Sequence, residues 1–314
     1  MSLLTIVIVT FNRCEILESI LKENLSIARD FDVNIKVCNN GSTDNTIEVL
    51  ETLSNYHNNL SYDNFSENLG YDDNVIRAMN SVDSEFAWLM GDSAYISSNI
   101  FSSIFDILDS SDEHSPALIG LNNYNRVVGA KSKKYDNLNE FFSTFGWHLT
   151  LIDSVIWPVK QVKKLNLSKY SGSNLVQVGA LFDLINSNCE AFWLDESGVS
   201  HTDKRKISFW TLSPFNVWCD NFLLIANVNK NNINSDLIYD VIKNHNENSG
   251  VFRISKLIEY KNARNLSVTT LYKHKNSITK TLNIKILVSA FAVALIPRLI
   301  LNGILSIIRN FRRN

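Results

Sequence analysis

Four polar clusters stand where apolar runs end, and their residue types suit phosphate and nucleobase chemistry. Thr10-Phe11-Asn12-Arg13 follows the β-branched run from Leu4 to Val9, and Asn39-Asn40-Gly41-Ser42-Thr43-Asp44 follows Val33 to Cys38. Asn68-Leu69-Gly70-Tyr71-Asp72-Asp73-Asn74 leads toward Arg77, and Gly91-Asp92-Ser93 closes the apolar run from Phe86 to Met90. A carboxylate at a strand end can hold a divalent cation, which offsets the negative charge growing on a departing diphosphate. Asp92 has that position, although an aspartate there equally begins a turn or caps a helix starting near Ser97. The turn at Asn40 can present an amide to a base while Ser42 or Thr43 caps the next helix. Gly70 stands without a GxGxxG or GxxxxGK[ST] pattern, so its loop reads as a solvated turn as readily as a phosphate site.

The elements that would carry these clusters alternate in kind. Strands are expected over residues 4–9, 33–38, 60–65 and 86–90, and helices over 14–28, 46–53 and 71–81. Short continuous β-branched runs suit strands covered on both faces, and strand-helix alternation implies a mostly parallel, doubly wound α/β sheet. In such sheets ligands lie beyond the carboxyl ends of the strands, where Thr10, Asn40 and Asp92 all fall.

With 314 residues and 45% hydrophobic content, the chain can bury a full core. A net charge of −2 leaves no basic field for nucleic acid. The four cysteines, Cys14, Cys38, Cys189 and Cys219, form no CxxC pair and read as reduced thiols of a cytoplasmic protein. The first apolar stretch breaks at once into polar residues and reads as a buried strand rather than a signal peptide. Between residues 115 and 218 aromatics are dense, and most of them are expected in the core, with room for a sugar-stacking platform among them. Residues 221–280 look helical and polar, with an Asn-rich loop at 227–234. From Ile284 to Ile308 the chain is nearly all apolar, broken by Pro297-Arg298 and closed by Arg309, Arg312 and Arg313. That pattern fits an amphipathic helix lying on a membrane surface, with a tilted span or a core-packing helix as alternatives. The expected organisation is a catalytic α/β domain over 1–225, a helical extension over 226–283 and a membrane-associated helix over 284–314.

Taken together and in order, Ile8-Val9-Thr10-Phe11-Asn12-Arg13, Asn39 to Thr46, Asn68-Leu69-Gly70 and Trp88-Leu89-Met90-Gly91-Asp92 resemble the family 2 glycosyltransferases of the GT-A fold. The match is strong over about residues 3–100 and weaker through Phe145-Gly146-Trp147-His148 and Trp157-Pro158 to about 220. The Trp and Gly ahead of Asp92 look most like the abequosyltransferase-type branch that builds O-antigen and other bacterial surface glycans. The resemblance implies a nucleotide-sugar donor, a polyprenyl-diphosphate-linked glycan acceptor, a manganese or magnesium ion, and a site on the inner face of the cytoplasmic membrane. It implies that Thr10, Phe11, Asn12 and Arg13 line the donor, that Asn40 reads the base, and that Asn68 and Arg77 lie near base and diphosphate. Asp92 would hold the metal through the diphosphate oxygens. The family's Asp-x-Asp is here Asp92-Ser93-Ala94, so His201 becomes a candidate second metal ligand. The family's Glu-Asp pair is absent near Asn174 to Asp183, which leaves Asp153 and Asp183 as candidate bases by elimination.

A non-catalytic nucleotide-sugar-binding protein of the same fold is the competing reading, supported by the lone Asp92 and the missing pair. A nucleotidyltransferase is disfavoured, because Thr10-Phe11-Asn12-Arg13 is not the Gly-rich loop that grips a triphosphate.

Overall fold

The computed structural model describes residues 2–110, 117–187, 189–201, 209–231, 233–298 and 300–301. It divides into two compact units, Met1–Lys206 with Asn231–Ile233, and Ile207–Lys230 with Asn234–Asn314.

The first unit opens with β1 (Leu4–Thr10), α1 (Cys14–Asp30), β2 (Asn34–Asn39), α2 (Thr46–Tyr56), β3 (Leu60–Asn64), α3 (Tyr71–Asn80) and β4 (Phe86–Gly91). This is the expected alternation, with bounds within a few residues. It continues through β5 (Ala94–Ile96), α4 (Phe101–Asp109), β6 (Ala117–Leu121), β7 (Lys133–Tyr135), α5 (Leu138–Phe145), β8 (Val155–Pro158), α6 (Val159–Val162), α7 (Val176–Leu184), β9 (Glu190–Leu194) and β10 (Val199–His201). An eight-stranded sheet has the order β3-β2-β1-β4-β8-β6-β9-β7, and β5 and β10 form a separate two-stranded ladder. Pairing is parallel from β3 through β4 and between β6 and β9, and antiparallel where β8 and β7 join.

Every residue of β1 is buried, as a central strand covered on both faces requires. On α1 the buried residues Leu17, Ile20, Leu21, Leu25 and Ala28 recur at helical spacing and lay one apolar face on the sheet. The aromatic middle is mostly core. Phe141, Phe142, Phe145, Trp157 and Trp193 are buried, and Phe145 stacks on Trp193 with ring centroids 3.9 Å apart.

The second unit is helical: α8 (Phe222–Asn229), α9 (Ser235–Asn248), α10 (Ile254–Asn262), α11 (Val268–Lys273), α12 (Lys275–Thr281) and α13 (Ile284–Leu295). It includes Trp218, which packs on Phe222 at 5.6 Å and on His245 at 4.6 Å. Helix α13 buries Ala290, Val293 and Ala294 within this unit and leaves Ile284, Val288, Phe291 and Leu295 exposed on one stripe. The helix stops before Pro297, with Ile296 in the extended conformation that a following proline favours. Among the described residues no helix is long and apolar enough to cross a membrane. Leu299 and residues 302–314, including Arg309, Arg312 and Arg313, lie outside the described residues.

Candidate active site

Strands β1, β2 and β4 are parallel neighbours, so their carboxyl ends deliver Thr10, Asn40 and Asp92 to one edge of the sheet. Thr10 Oγ1 donates to Asp92 Oδ2 at 2.8 Å, and Arg13 Nη1 donates to Asp92 Oδ1 at 2.8 Å. Asp92 is buried, and this burial pushes its carboxyl upward while Arg13 and Thr10 pull it back toward ionisation.

Asn12 adopts a left-handed backbone, φ 52°, and bridges to the second turn. Its N–H donates to Ser42 Oγ at 2.9 Å, and its Oδ1 accepts from the Thr43 N–H at 2.7 Å. Phe11 beside it is among the exposed apolar side chains. In the second turn Gly41 has φ +69°, and a Cβ there would stand 2.6 Å from the Glu67 carbonyl carbon. Only glycine fits both the backbone angle and that approach.

Asn40, expected to read the base, has its amide committed to the loop that carries Asn68. Asn40 Nδ2 donates to Asn68 Oδ1 at 2.8 Å and to the Gly70 carbonyl at 3.0 Å, and Asn40 Oδ1 accepts from the Leu69 N–H at 3.3 Å. The buried Asn40 amide therefore fastens the 68–70 loop to β2. Arg77 lies on α3 with its guanidinium 4.3 Å from the Phe65 ring centroid.

The ladder of β5 with β10 sets His201 opposite Ala94, two residues beyond Asp92. His201 Nδ1 is 3.3 Å from the Ser93 carbonyl, and its Nε2 is 2.6 Å from the Tyr124 hydroxyl. Tyr124 stacks on the His201 ring and donates to Asp153 Oδ2 at 2.5 Å. The Trp88 indole N–H donates to the Asp153 carbonyl at 2.8 Å, which locks the backbone at that position against β4. Burial raises the Asp153 carboxyl, opposed by the Tyr124 bond and the charge of His201. Of the two candidate bases, Asp153 thus joins the Asp92 end of the sheet through Tyr124 and His201. Asp183 is spent elsewhere, accepting from Lys169 Nζ at 2.8 Å and the Tyr170 hydroxyl at 3.0 Å.

Two residues have a part here that the sequence did not assign to them. Tyr124 sits at φ 64° just after β6, and nothing local announces that it links Asp153 to His201. Asp72, at the start of α3, accepts from the backbone N–H groups of Asn174 at 2.6 Å and Val176 at 3.0 Å, holding the start of α7. His148 is a core residue: burial lowers it to about 4, and its Nε2 bonds the Leu121 carbonyl at 2.9 Å.

The donor set for a divalent cation is thin. Among the described residues no group of three or more His, Cys, Asp and Glu side chains could hold an ion. Asp92 and His201, the latter bonded to the neighbouring Ser93 carbonyl, are the side chains here that would hold such an ion, with one carboxylate and one imidazole between them. His201 would have to release Tyr124 or Ser93 to free a ring nitrogen, whereas the Asp92 oxygens keep lone pairs beside their bonds to Thr10 and Arg13.

Residues 5–119 match the family model described as Glycosyl transferase family 2. Over 111 residues the chain is 29% identical to the abequosyltransferase RfbV of Salmonella typhimurium strain LT2, a match covering 34% of this chain and 33% of that protein. The match thus spans about a third of the relative's length. The fold is similar to S. aureus TarS 1-349 in complex with UDP, with TM-score 0.57, 14% identity, and coverage of 93% of this chain and 90% of that one. It is equally similar to the mannosyltransferase PcManGT from Pyrobaculum calidifontis in complex with GDP-Man and Mn2+, with TM-score 0.57, 12% identity, and coverage of 93% and 87%. The architecture is therefore GT-A.

Proposed function

We propose that this chain, which carries a family 2 glycosyltransferase segment on a GT-A fold, moves a sugar from a nucleoside diphosphate donor to a lipid-linked glycan of a bacterial surface polysaccharide. The observation that carries the reading is the gathering of Thr10, Arg13 and Asp92 at the carboxyl ends of β1 and β4, with His201 bound to the adjacent Ser93.

The donor's base lies against Phe11 and the turn that Asn40 and Gly41 build, and its diphosphate reaches Asp92. Arg13 supplies a cation at that point, where negative charge develops as the sugar leaves. A divalent ion, held by Asp92 and His201, would supply further charge neutralisation of the leaving diphosphate. Asp153, with its carboxyl raised by burial and linked to Tyr124 and His201, takes the acceptor hydroxyl's proton through that cluster. Trp147, partly buried and 5.3 Å from the Arg126 guanidinium, offers the aromatic face on which an acceptor sugar can stack.

The exposed stripe of Ile284, Val288, Phe291 and Leu295 supports a peripheral position on the inner face of the cytoplasmic membrane. An enzyme held there meets a lipid-linked acceptor in two dimensions.

A thermal-shift screen of UDP-, GDP-, CDP- and dTDP-sugars, with and without manganese, tests the donor site, because a ligand of the folded state raises Tm. Incubating the stabilising donor with and without acceptor then separates a transferase from a binding protein. A donor that binds yet is neither transferred nor hydrolysed would favour the non-catalytic reading.

A further inference from the structure

The second unit contains a cavity of about 430 Å³, lined by none of the residues assigned above to sugar transfer. Its lining includes Arg264, Lys273 and His274, the hydroxyls of Ser267 and Thr270, and the ring of Phe215. Among the described residues no Asp or Glu lines it. The acid nearest to it in bonding, Asp220, is already spent: Oδ2 accepts from His274 Nδ1 at 2.7 Å and Oδ1 accepts from the Ser277 hydroxyl. His274 is 8% exposed, and with Nδ1 committed to Asp220 it is oriented by that bond, leaving Nε2 as its other polar atom. Arg264 and Lys273 have no ion-pair partner among the described residues.

The backbone at Arg264 is informative. Helix α10 ends with the Asn265 and Leu266 N–H groups both returning to the Tyr260 carbonyl, and Arg264 takes the left-handed position of that terminus, φ 65°. Glycine is the usual occupant of such a position, and a long side chain there strains the backbone. A strained residue that lines a cavity with two other basic side chains points to a use for its guanidinium.

We propose that this cavity binds a phosphate or diphosphate group borne by a membrane lipid. Arg264 and Lys273, neither with an ion-pair partner among the described residues, the Nε2 side of His274, and described lining residues without a carboxylate suit a phosphate-type anion, and the Ser267 and Thr270 hydroxyls, bonded to each other, stand beside them. A lipid source is favoured by the apolar exposure of the same unit. Val268 and Tyr272 are exposed on α11, the helix that also supplies Thr270 and Lys273 to the cavity, and the exposed stripe of α13 adds four more apolar side chains. The site rests on the second unit alone, so it stands or falls separately from the assignment of donor chemistry to Asp92.

The full chain is titrated calorimetrically with inorganic pyrophosphate, with farnesyl diphosphate, and with vesicles of phosphatidylcholine with and without phosphatidylglycerol. Arg264→Gly is the informative variant, because glycine relieves the left-handed strain and keeps the helix terminus. Arg264→Gly and Lys273→Gln are each expected to weaken farnesyl diphosphate binding about tenfold or more while Tm is unchanged or raised. Asp92→Asn serves as the control that empties the donor site without touching this one. Farnesyl diphosphate binding tighter than pyrophosphate identifies the lipid-borne diphosphate, and anionic vesicles competing with it extend the ligand to phospholipid head groups. Pyrophosphate binding as tightly as farnesyl diphosphate overturns the lipid source. Equal binding by wild type and both variants, or binding lost in Asp92→Asn alone, overturns the site.

Discussion

The Arg13 guanidinium meets the Asp92 carboxylate at 2.8 Å across the ends of β1 and β4, hydrogen-bonded neighbours in the sheet. This pair joins two of the sequence motifs in one contact and places opposite charges where a diphosphate would arrive. Asp92→Asn keeps the Thr10 bond and loses the charge. The variant is expected to fold with a stability loss of about 1–3 kcal/mol, and to lose transfer by about 10²-fold or more. Near-native turnover at saturating manganese in a steady-state assay would contradict both the pairing and the metal assignment.

Asn40 contributes through the loop it fastens. Asn40→Ala removes the bonds to Asn68, Leu69 and Gly70, so donor KM is expected to rise by the equivalent of about 1–3 kcal/mol. Gly41→Ala should be harder to tolerate, since the left-handed backbone alone costs about 1–2 kcal/mol before the contact with Glu67 is counted. Donor titrations and thermal melts of the two variants separate the binding loss from the folding loss.

Asp153 predicts a pH dependence with a definite sign. Its folded pKa is raised by burial, so above the ordinary aspartate value of about 3.9 the folded chain retains a proton that the unfolded chain has released. Stability therefore declines as pH rises from there through the folded value. Asp153→Asn should flatten that decline in denaturant midpoints measured across pH. If Asp153 accepts the acceptor's proton, kcat of the wild type should also rise with pH over the same range, and the variant should lose that rise.

Helix α13 is better tested by substitution than by truncation, because removing it would uncover the partners of Ala290, Val293 and Ala294. Val288→Glu and Phe291→Glu alter only the exposed stripe, and surface changes of this kind shift stability by about 0.5 kcal/mol or less. Both variants are expected to fall off anionic liposomes in a flotation assay and to lose activity on a lipid-linked acceptor more than on a soluble one. Unchanged flotation would refute the interfacial helix.

Local chemistry made the first half of the site legible in the sequence. The runs at Leu4, Val33 and Phe86 are β-branched or apolar and end in turn residues, so strand position and the edge carrying Thr10, Asn40 and Asp92 follow from hydrophobic pattern and parallel topology. The apolar character of the segment from Ile284 was also legible, but the sequence pointed to a helix running through Pro297, whereas α13 ends at Leu295 ahead of it and exposes Ile284, Val288, Phe291 and Leu295. The linkage of Asp153 to His201 through Tyr124 was not written anywhere local, because those residues lie 29 and 77 positions from Tyr124. Only the β5–β10 ladder and the strand order β4-β8-β6 bring them together. The same holds for Arg13, whose position after β1 was readable but whose partner was not: an ion pair is a distance, and the chain between residues 79 positions apart must fold before that distance exists. Residue types limited which chemistry was available, and long-range strand pairing decided which of those residues could act together.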